Sequence, residues 1–371
     1  MLSTLLLSVA LVVQVPSGEI IPDVKCEADP ALSYALYLPR GYTPARAYPV
    51  IFAFDPGARG RVPVERYQAA AEQYGYIVAG SNNSRNGSPV TGQAATAMTT
   101  DVMTRFHVDP NRIYLAGMSG GARVAFAVAM PNASQIAGVI ASSAGYPDAE
   151  PRKTMPFPIF ATAGTEDFNH LEMRRLDAAL TTPHRLVIFE GGHAWLSSEL
   201  AIEAVEWMEV QAMKRGTAPR DQTRIAAFFD RRMGAIARMA SDTHAFLALQ
   251  SVASDFTGLT DVSAIAGRAT ALGRDKEIKN ALSKDRDEDD RETRVLREMT
   301  IFAAKLESTD ERADALAELR VRWRQLSDAA KKPADSSERR MARRVIALLN
   351  QSTTTRDPAY RKIIEEYRNW R

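Results

Sequence analysis

The stretch Ile113-Tyr114-Leu115-Ala116-Gly117-Met118-Ser119-Gly120-Gly121 decides the fold of this chain of 371 residues. An apolar run typical of a buried strand leads into Gly-Met-Ser-Gly-Gly, and an Ala- and Val-rich run that favours a helix follows as far as Met130. A G-x-S-x-G pattern between a strand and a helix is a nucleophile elbow, a strained turn that exposes its serine. Small neighbours let the strand and the helix approach closely enough for the turn to form. The pattern therefore predicts that Ser119 is a catalytic nucleophile.

An acid and a histidine are expected downstream of such a serine, each in the loop after a later strand. Asp167 follows the strand-like run Pro158 to Ala163, and His193 follows the run Arg185 to Glu190 after two glycines. The histidines that lack this order or this loop setting are His107, His170, His184 and His244. We therefore predict a catalytic triad of Ser119, Asp167 and His193.

Two other carboxylates are alternatives for the acid. Glu166 precedes Asp167 in the same loop, and Asp148 follows the strand-like run before it. Asp167 itself could instead have a structural role in a turn or a helix cap. In the predicted mechanism the acid orients His193, which removes the Ser119 proton as the serine oxygen attacks a carbonyl carbon.

Each step of that mechanism passes through an oxyanion, which needs preorganised N–H donors. The backbone N–H of Gly120, directly after the serine, is the first expected donor. The second is expected in the loop after an early buried strand, which reads Asp55-Pro56-Gly57-Ala58. Because proline has no N–H, Gly57 and Ala58 are the candidates. The polar loop from Ser81 to Asn86 could also line the pocket, or it could form a surface turn.

The pattern along the chain changes once, near Gly216. Strand-like and helix-like runs alternate from 30 to 215, which is typical of a parallel sheet flanked by helices. After Gly216 the strand-like runs stop, and apolar residues recur at helical spacing. We predict an α/β catalytic domain at 30–215 and a helical domain of unknown role at 217–371. A chain ending near Arg215 is then expected to fold and to keep its activity.

Composition restricts the other classes of function. The formal net charge of +2 gives no strong field for nucleic acid or an acidic membrane. A single cysteine, Cys26, excludes an internal disulfide and a cysteine-based zinc site. The apolar run at 2–13 is too short to span a bilayer and resembles the core of a secretory signal peptide, and no other stretch could span one. We expect a signal peptide at 1–18 and a secreted or periplasmic protein, with a cytoplasmic protein as the alternative.

Together these features resemble the α/β-hydrolase superfamily, in particular the secreted esterase branch that includes feruloyl esterases and polyhydroxybutyrate depolymerases. Besides the elbow, the resemblance lies in Tyr37-Leu38-Pro39, in the segment from Val108 to Tyr114 and in Gly192-His193-Ala194-Trp195. It covers roughly Ala31 to Met213, and the all-α region after it has no counterpart. It implies an α/β-hydrolase fold and hydrolysis of carboxylic esters without a metal or an organic cofactor. One departure is Asp55-Pro56, which stands where the branch has His-Gly.

The substrate is expected to be a small-molecule or polymeric ester. The connection from Ser142 to Pro158 is too short for a large inserted lid, and an open site suits bulky esters. The C-terminal helices could still cover the site. A serine peptidase of the same fold is the enzymatic alternative, because esters and amides share the triad chemistry. A catalytically degenerate hydrolase that presents its helices to a protein partner is the alternative from another class.

Overall fold

The computed structural model describes residues 15–148, 152–352 and 357–369. Within these ranges, eight strands form one sheet, which helices flank. The strands are β1 (Ile20–Lys25), β2 (Ser33–Tyr37), β3 (Tyr48–Phe54), β4 (Ile77–Ser81), β5 (Val108–Met118), β6 (Ile136–Ser142), β7 (Ile159–Gly164) and β8 (His184–Phe189). The helices are α1 (Arg61–Tyr74), α2 (Thr91–Arg105), α3 (Gly120–Ala129), α4 (His170–Ala179), α5 (Ser198–Arg215), α6 (Gln222–Ala237), α7 (Asp242–Phe256), α8 (Ser263–Leu272), α9 (Lys276–Ala304), α10 (Arg312–Ala330), α11 (Ser337–Ser352) and α12 (Pro358–Tyr367), with a 3₁₀ turn at Lys305–Glu307.

The strand order across the sheet is β1-β2-β4-β3-β5-β6-β7-β8. Strand β2 pairs antiparallel with both β1 and β4, whereas all pairs from β4 to β8 are parallel. The predicted mostly parallel sheet flanked by helices, with a helical region after it, is confirmed. Because parallel strands end at the same edge, the loops after β3, β4, β5, β7 and β8 lie on one side of the molecule.

Strand β1 was not predicted. It contains Pro22 and Asp23, which disfavour a strand, and its register shifts between Ile21 and Val24. Such a segment is tolerated at the edge of a sheet, where one side of the strand needs no partner. The fully buried strands β3, β4 and β6 are continuous apolar or small-residue runs, which the sequence does reveal.

The hydrophobic core lies on both faces of the sheet. Helices α2, α3 and α4 cover one face, where Phe126 is fully buried. Helices α1 and α5 cover the other face with side chains such as Trp207, and Phe228 and Leu249 of α6 and α7 belong to the same cluster. Gly216 therefore marks a change in secondary structure, but the hydrophobic core continues across it.

Helices α9 to α12 add a core of their own. It is built around Trp323 of α10, whose indole N–H donates to the Tyr360 hydroxyl of α12 at 3.3 Å. Met299 and Leu306 are also buried in this cluster. That the region after Gly216 is a separate domain stays a prediction.

Most of the expected signal peptide lies outside the part of the chain that the structure describes. Of the expected signal peptide at 1–18, residues 1–14 lie outside the described ranges. None of the described helices combines the length and the apolar composition that crossing a bilayer requires. Export of the protein stays a prediction.

Candidate active site

Ser119 lies at the turn between β5 and α3, where the elbow pattern predicts it. Its φ of 55° and ψ of −124° are backbone angles that an L residue adopts only under strain. A Cβ on Gly117 would lie 2.2 Å from the Gly121 oxygen, and a Cβ on Gly121 would lie 1.9 Å from the Phe54 oxygen. Because only glycine fits both positions, the strand and the helix meet closely enough to hold the serine in this turn.

His193 and Asp167 come together in the loops after β8 and β7. The Nδ1–H of His193 donates to Asp167 Oδ1 at 2.8 Å, and the backbone N–H of Asn169 donates to the same oxygen at 2.8 Å. The Asp167 carboxylate is fully buried. Serine, acid and histidine thus follow β5, β7 and β8 at one edge of a sheet with the order given above. The chain has the α/β-hydrolase fold.

The imidazole of His193 is held on one side of this α/β-hydrolase site by an aromatic ring. Phe168 stacks on it with 3.8 Å between ring centroids and an angle of 26°. Among the described residues, no hydrogen bond joins His193 to the Ser119 hydroxyl, a bond that often tightens only when substrate binds. The sequence reasoning missed Phe168, and its position next to the acid was the only available signal.

The two alternative acids face other partners. Glu166 accepts a hydrogen bond from Arg343 at 2.6 Å, and Asp148 forms an ion pair with Arg152. Neither carboxylate contacts His193. The described ranges contain no cluster of three or more His, Cys, Asp or Glu side chains that could hold a metal ion.

The predicted oxyanion donors have different environments. The N–H of Gly120, at the start of α3, donates to no acceptor among the described residues. The N–H of Gly57 donates to Asp55 Oδ1 at 2.8 Å, and the N–H of Ala58 donates to the Asp55 carbonyl oxygen at 3.1 Å. In this conformation both backbone candidates in the loop after β3 are therefore occupied, and the geometry argues against the role we expected for Gly57 and Ala58.

The loop from Ser81 to Asn86, after β4, lies against the elbow. The Asn86 backbone N–H donates to the Pro56 oxygen at 2.9 Å, and Arg85 forms an isolated β-bridge with Gly57. The Asn86 side chain packs on Gly120 so closely that a Cβ there would lie 1.7 Å from Asn86 Oδ1. This loop thus belongs to the surroundings of the nucleophile.

A cleft of about 980 Å³ opens beside Phe168, the residue that stacks on His193. Phe168 and Tyr146 line its catalytic side, and Leu296, Arg297 and Leu348 of α9 and α11 line its other side. Its lining includes the ring that stacks on His193 but none of Ser119, Asp167 and His193, so the cleft adjoins these residues rather than containing them. The C-terminal helices therefore contribute one wall of a cleft next to the candidate site.

Helix α11 also contacts the loop that carries the acid. The guanidinium of Arg344 donates to the Thr165 carbonyl oxygen at 2.8 Å and to the Glu292 carboxylate of α9 at 3.0 Å. Arg344 and Glu292 are only 8% and 1% exposed, so this ion pair is buried. Burial raises the pKa of Glu292, an effect that the bonds from Arg344 partly oppose. One side chain thus links α9, α11 and the residue two positions before Asp167.

Comparison with solved structures returns hydrolases. A ferulic acid esterase is 13% identical, with a TM-score of 0.42 over 51% of this chain and 96% of that one. The fluorophosphonate-binding serine hydrolase F of Staphylococcus aureus is 12% identical, with a TM-score of 0.41 over 52% and 99%. A thermostable esterase is 16% identical, with a TM-score of 0.39 over 50% of this chain and only 61% of that one.

These similarities are low and cover about half of the chain. The fold is therefore identified from the strand order and the elbow, with the esterases and serine hydrolases as structural neighbours. Neither family models nor curated proteins gave a match to the sequence.

Proposed function

We propose that this protein is a serine hydrolase that cleaves carboxylic esters through an acyl-enzyme. One observation carries the proposal: a strained, partly exposed Ser119 shares a sheet edge with the hydrogen-bonded pair of His193 and Asp167. A serine without a catalytic role would give no reason for strained backbone angles, whereas a nucleophile elbow requires them. The apolar run at 2–13 supports an exported enzyme, which we include in the proposal.

The reaction begins when His193 Nε2 removes the Ser119 proton and Oγ attacks the ester carbonyl carbon. Asp167 fixes the tautomer that leaves Nε2 basic, because its Oδ1 accepts the Nδ1–H, and it balances the charge of the imidazolium. The imidazolium then protonates the leaving alkoxide. Water activated by the same histidine releases the acid and restores the serine. The Gly120 N–H stabilises the oxyanion in both halves.

The open cleft supports an ester with a bulky or polymeric part, since apolar and aromatic side chains line it on two sides. A peptide could undergo the same chemistry. Assays on aryl esters, feruloyl esters, a polymeric ester and peptides will therefore compare kcat/KM directly. A peptide cleaved faster than every ester would replace the esterase proposal with a peptidase.

The central test is a set of substitutions in the triad. We expect Ser119→Ala and His193→Ala each to lower kcat on a small aryl ester by about a thousandfold or more, because triad residues act as a unit. Labelling by a fluorophosphonate should require Ser119. The matched pair Asp167→Asn and Glu166→Gln tests the acid, since only Asp167 contacts His193. Wild-type turnover in Ser119→Ala, or a larger loss in Glu166→Gln than in Asp167→Asn, would contradict these assignments.

A further inference from the structure

In the proposed hydrolase, neither of the two backbone candidates after β3 is free to act as a second oxyanion donor in this conformation. The Gly57 and Ala58 N–H groups both donate to Asp55. Asp55 is fully buried, and its carboxylate also accepts bonds from Arg59 and Trp195, so this arrangement is fixed by several contacts. With the Gly120 N–H alone, the developing negative charge would have one donor where serine hydrolases use two or more.

The Asn86 side chain lies directly against Gly120, the residue after Ser119. Its Oδ1, Cγ and Nδ2 lie 1.7, 2.5 and 2.8 Å from the position that a Cβ on Gly120 would take. The amide therefore fills the space beside the residue whose N–H is the first donor. Replacing Gly120 by any other residue would leave no room for the Asn86 amide.

Two further observations indicate that this amide is available. Asn86 is exposed, and its side chain has no hydrogen-bond partner among the described residues. Its backbone is nevertheless anchored, through the N–H bond to the Pro56 oxygen and through the bridge between Arg85 and Gly57. The anchored loop backbone thus keeps an uncommitted amide against the elbow.

We propose that Asn86 is a catalytic residue whose Nδ2–H donates to the oxyanion together with the Gly120 N–H. The inference rests on the proposed ester hydrolysis. As Ser119 Oγ bonds to the carbonyl carbon and its proton passes to His193, the C=O π electrons move onto the carbonyl oxygen, which accepts both bonds. When the oxyanion collapses, the C=O bond re-forms and the alkoxide leaves with the proton from His193. A rotation of the amide by 180° exchanges its oxygen and nitrogen, so either can face the substrate.

The test compares Asn86→Ala, Asn86→Asp and the control Arg85→Ala on a small aryl ester. Asn86→Asp has the shape of asparagine but no N–H donor as a carboxylate, and the Arg85 side chain makes no hydrogen bond or ion pair among the described residues. We expect kcat to fall by about a hundredfold to a thousandfold in both Asn86 variants, with KM within a few-fold and an unchanged melting temperature. Arg85→Ala should keep wild-type kcat. The rate of fluorophosphonate labelling should fall in parallel with kcat.

Each result has a distinct meaning. A wild-type protein that neither labels nor hydrolyses esters overturns the proposed function, and the Asn86 role with it. An active wild type with Asn86 variants that keep kcat within threefold overturns the Asn86 proposal alone. A change confined to KM would assign Asn86 to substrate binding, which also overturns it. If Asn86→Ala is unstable, Asn86→Asp at a matched melting temperature decides.

Discussion

At the scale of single residues, Asp55 connects the loop after β3 with the loop that carries His193. Its Oδ2 accepts a hydrogen bond at 2.8 Å from the indole N–H of Trp195, which lies two residues after His193 in the sequence. Its Oδ1 accepts a hydrogen bond from the Gly57 N–H. Burial alone would raise the pKa of Asp55, but the bonds from Arg59, Trp195 and Gly57 lower it overall. The ionised carboxylate therefore holds the loop after β3 in a fixed turn. The bond to Oδ1 also explains why the Gly57 N–H is not a free donor.

His170 gives the protein a predicted sensitivity to acid. Burial, and then the nearby Arg344, lower its pKa to about 4, although its bond to the Gly164 carbonyl oxygen and the charge of Asp167 oppose the shift. Arg174 also faces it and favours the neutral form. The unfolded chain takes up a proton near pH 6.5, whereas the folded chain does so only near pH 4. The contribution of His170 to the free energy of unfolding is therefore fully present above pH 6.5. It is lost as the pH drops from 6.5 to 4, and it changes no further below pH 4.

We expect His170→Asn to flatten this dependence, because the amide can still donate to Gly164 but does not titrate. Urea unfolding between pH 4.5 and 7.5 measures the free energy of unfolding at each pH. Over this range it should change by on the order of 2–3 kcal/mol more in wild type than in His170→Asn. The same replacement at His184, His184→Asn, is the matched control. Its bond to Asp177 raises its pKa, so its contribution is present at low pH and is lost as the pH rises. An identical pH dependence in His170→Asn and wild type would contradict the prediction.

At the scale of elements, α11 connects the helical region to the loop that carries Asp167. Arg344 bonds to Thr165 in the acid loop and to the buried Glu292, and Arg343 bonds to Glu166 in the same loop. Replacing Arg344 by Met leaves Glu292 without this partner, which should lower the unfolding free energy by about 3–5 kcal/mol. The double replacement Arg344→Met with Glu292→Met removes both charges, and should recover most of that stability.

The two variants separate stability from positioning. If the bond to the Thr165 oxygen positions the acid, the double variant will stay well below wild type in kcat on a small ester despite its recovered stability. A loss on the order of tenfold to a hundredfold is expected for a catalytic loop that is misplaced by about an ångström. Urea denaturation and steady-state kinetics on the same preparations measure both quantities. Full activity in the double variant would reduce Arg344 to a structural role.

Local patterns predicted most elements of the catalytic part, but not the contacts between distant ones. The predicted strands at Pro158–Ala163 and Arg185–Glu190 are observed as β7 and β8. The elbow was visible because its glycines adjoin the serine in sequence. Arg344 and Thr165 lie 179 positions apart, and Asn86 reaches Gly120 from another loop, so periodicity and spacing carried no signal for either contact.

At the scale of the whole molecule, the hydrophobic core determines where the chain can be shortened. The sequence suggested that a chain ending near Arg215 would fold. In the structure, Phe228, Leu249 and Phe256 of α6 and α7 are buried in the cluster that covers one face of the sheet. The buried Glu206 and Glu209 of α5 also pair with Arg231 and Arg224. A cut at Arg215 would expose this face and remove both charge partners.

We therefore expect a chain ending at Arg215 to aggregate, and a chain ending at Arg274 to stay soluble and folded. The longer form keeps α6 to α8 and with them the shared core, while it loses the separate core around Trp323. It also loses Arg344 and the cleft wall formed by Leu296 and Leu348. Its kcat on a small ester should fall on the order of tenfold to a hundredfold because the acid loop is released, and KM for a bulky ester should rise as well. Soluble yield, melting temperature and the rates on a small and a bulky ester, measured for both shortened chains, test these expectations. A well-folded, fully active form ending at Arg215 would show that the helices after Gly216 are dispensable, and that the continuous core across Gly216 is not needed for either folding or catalysis.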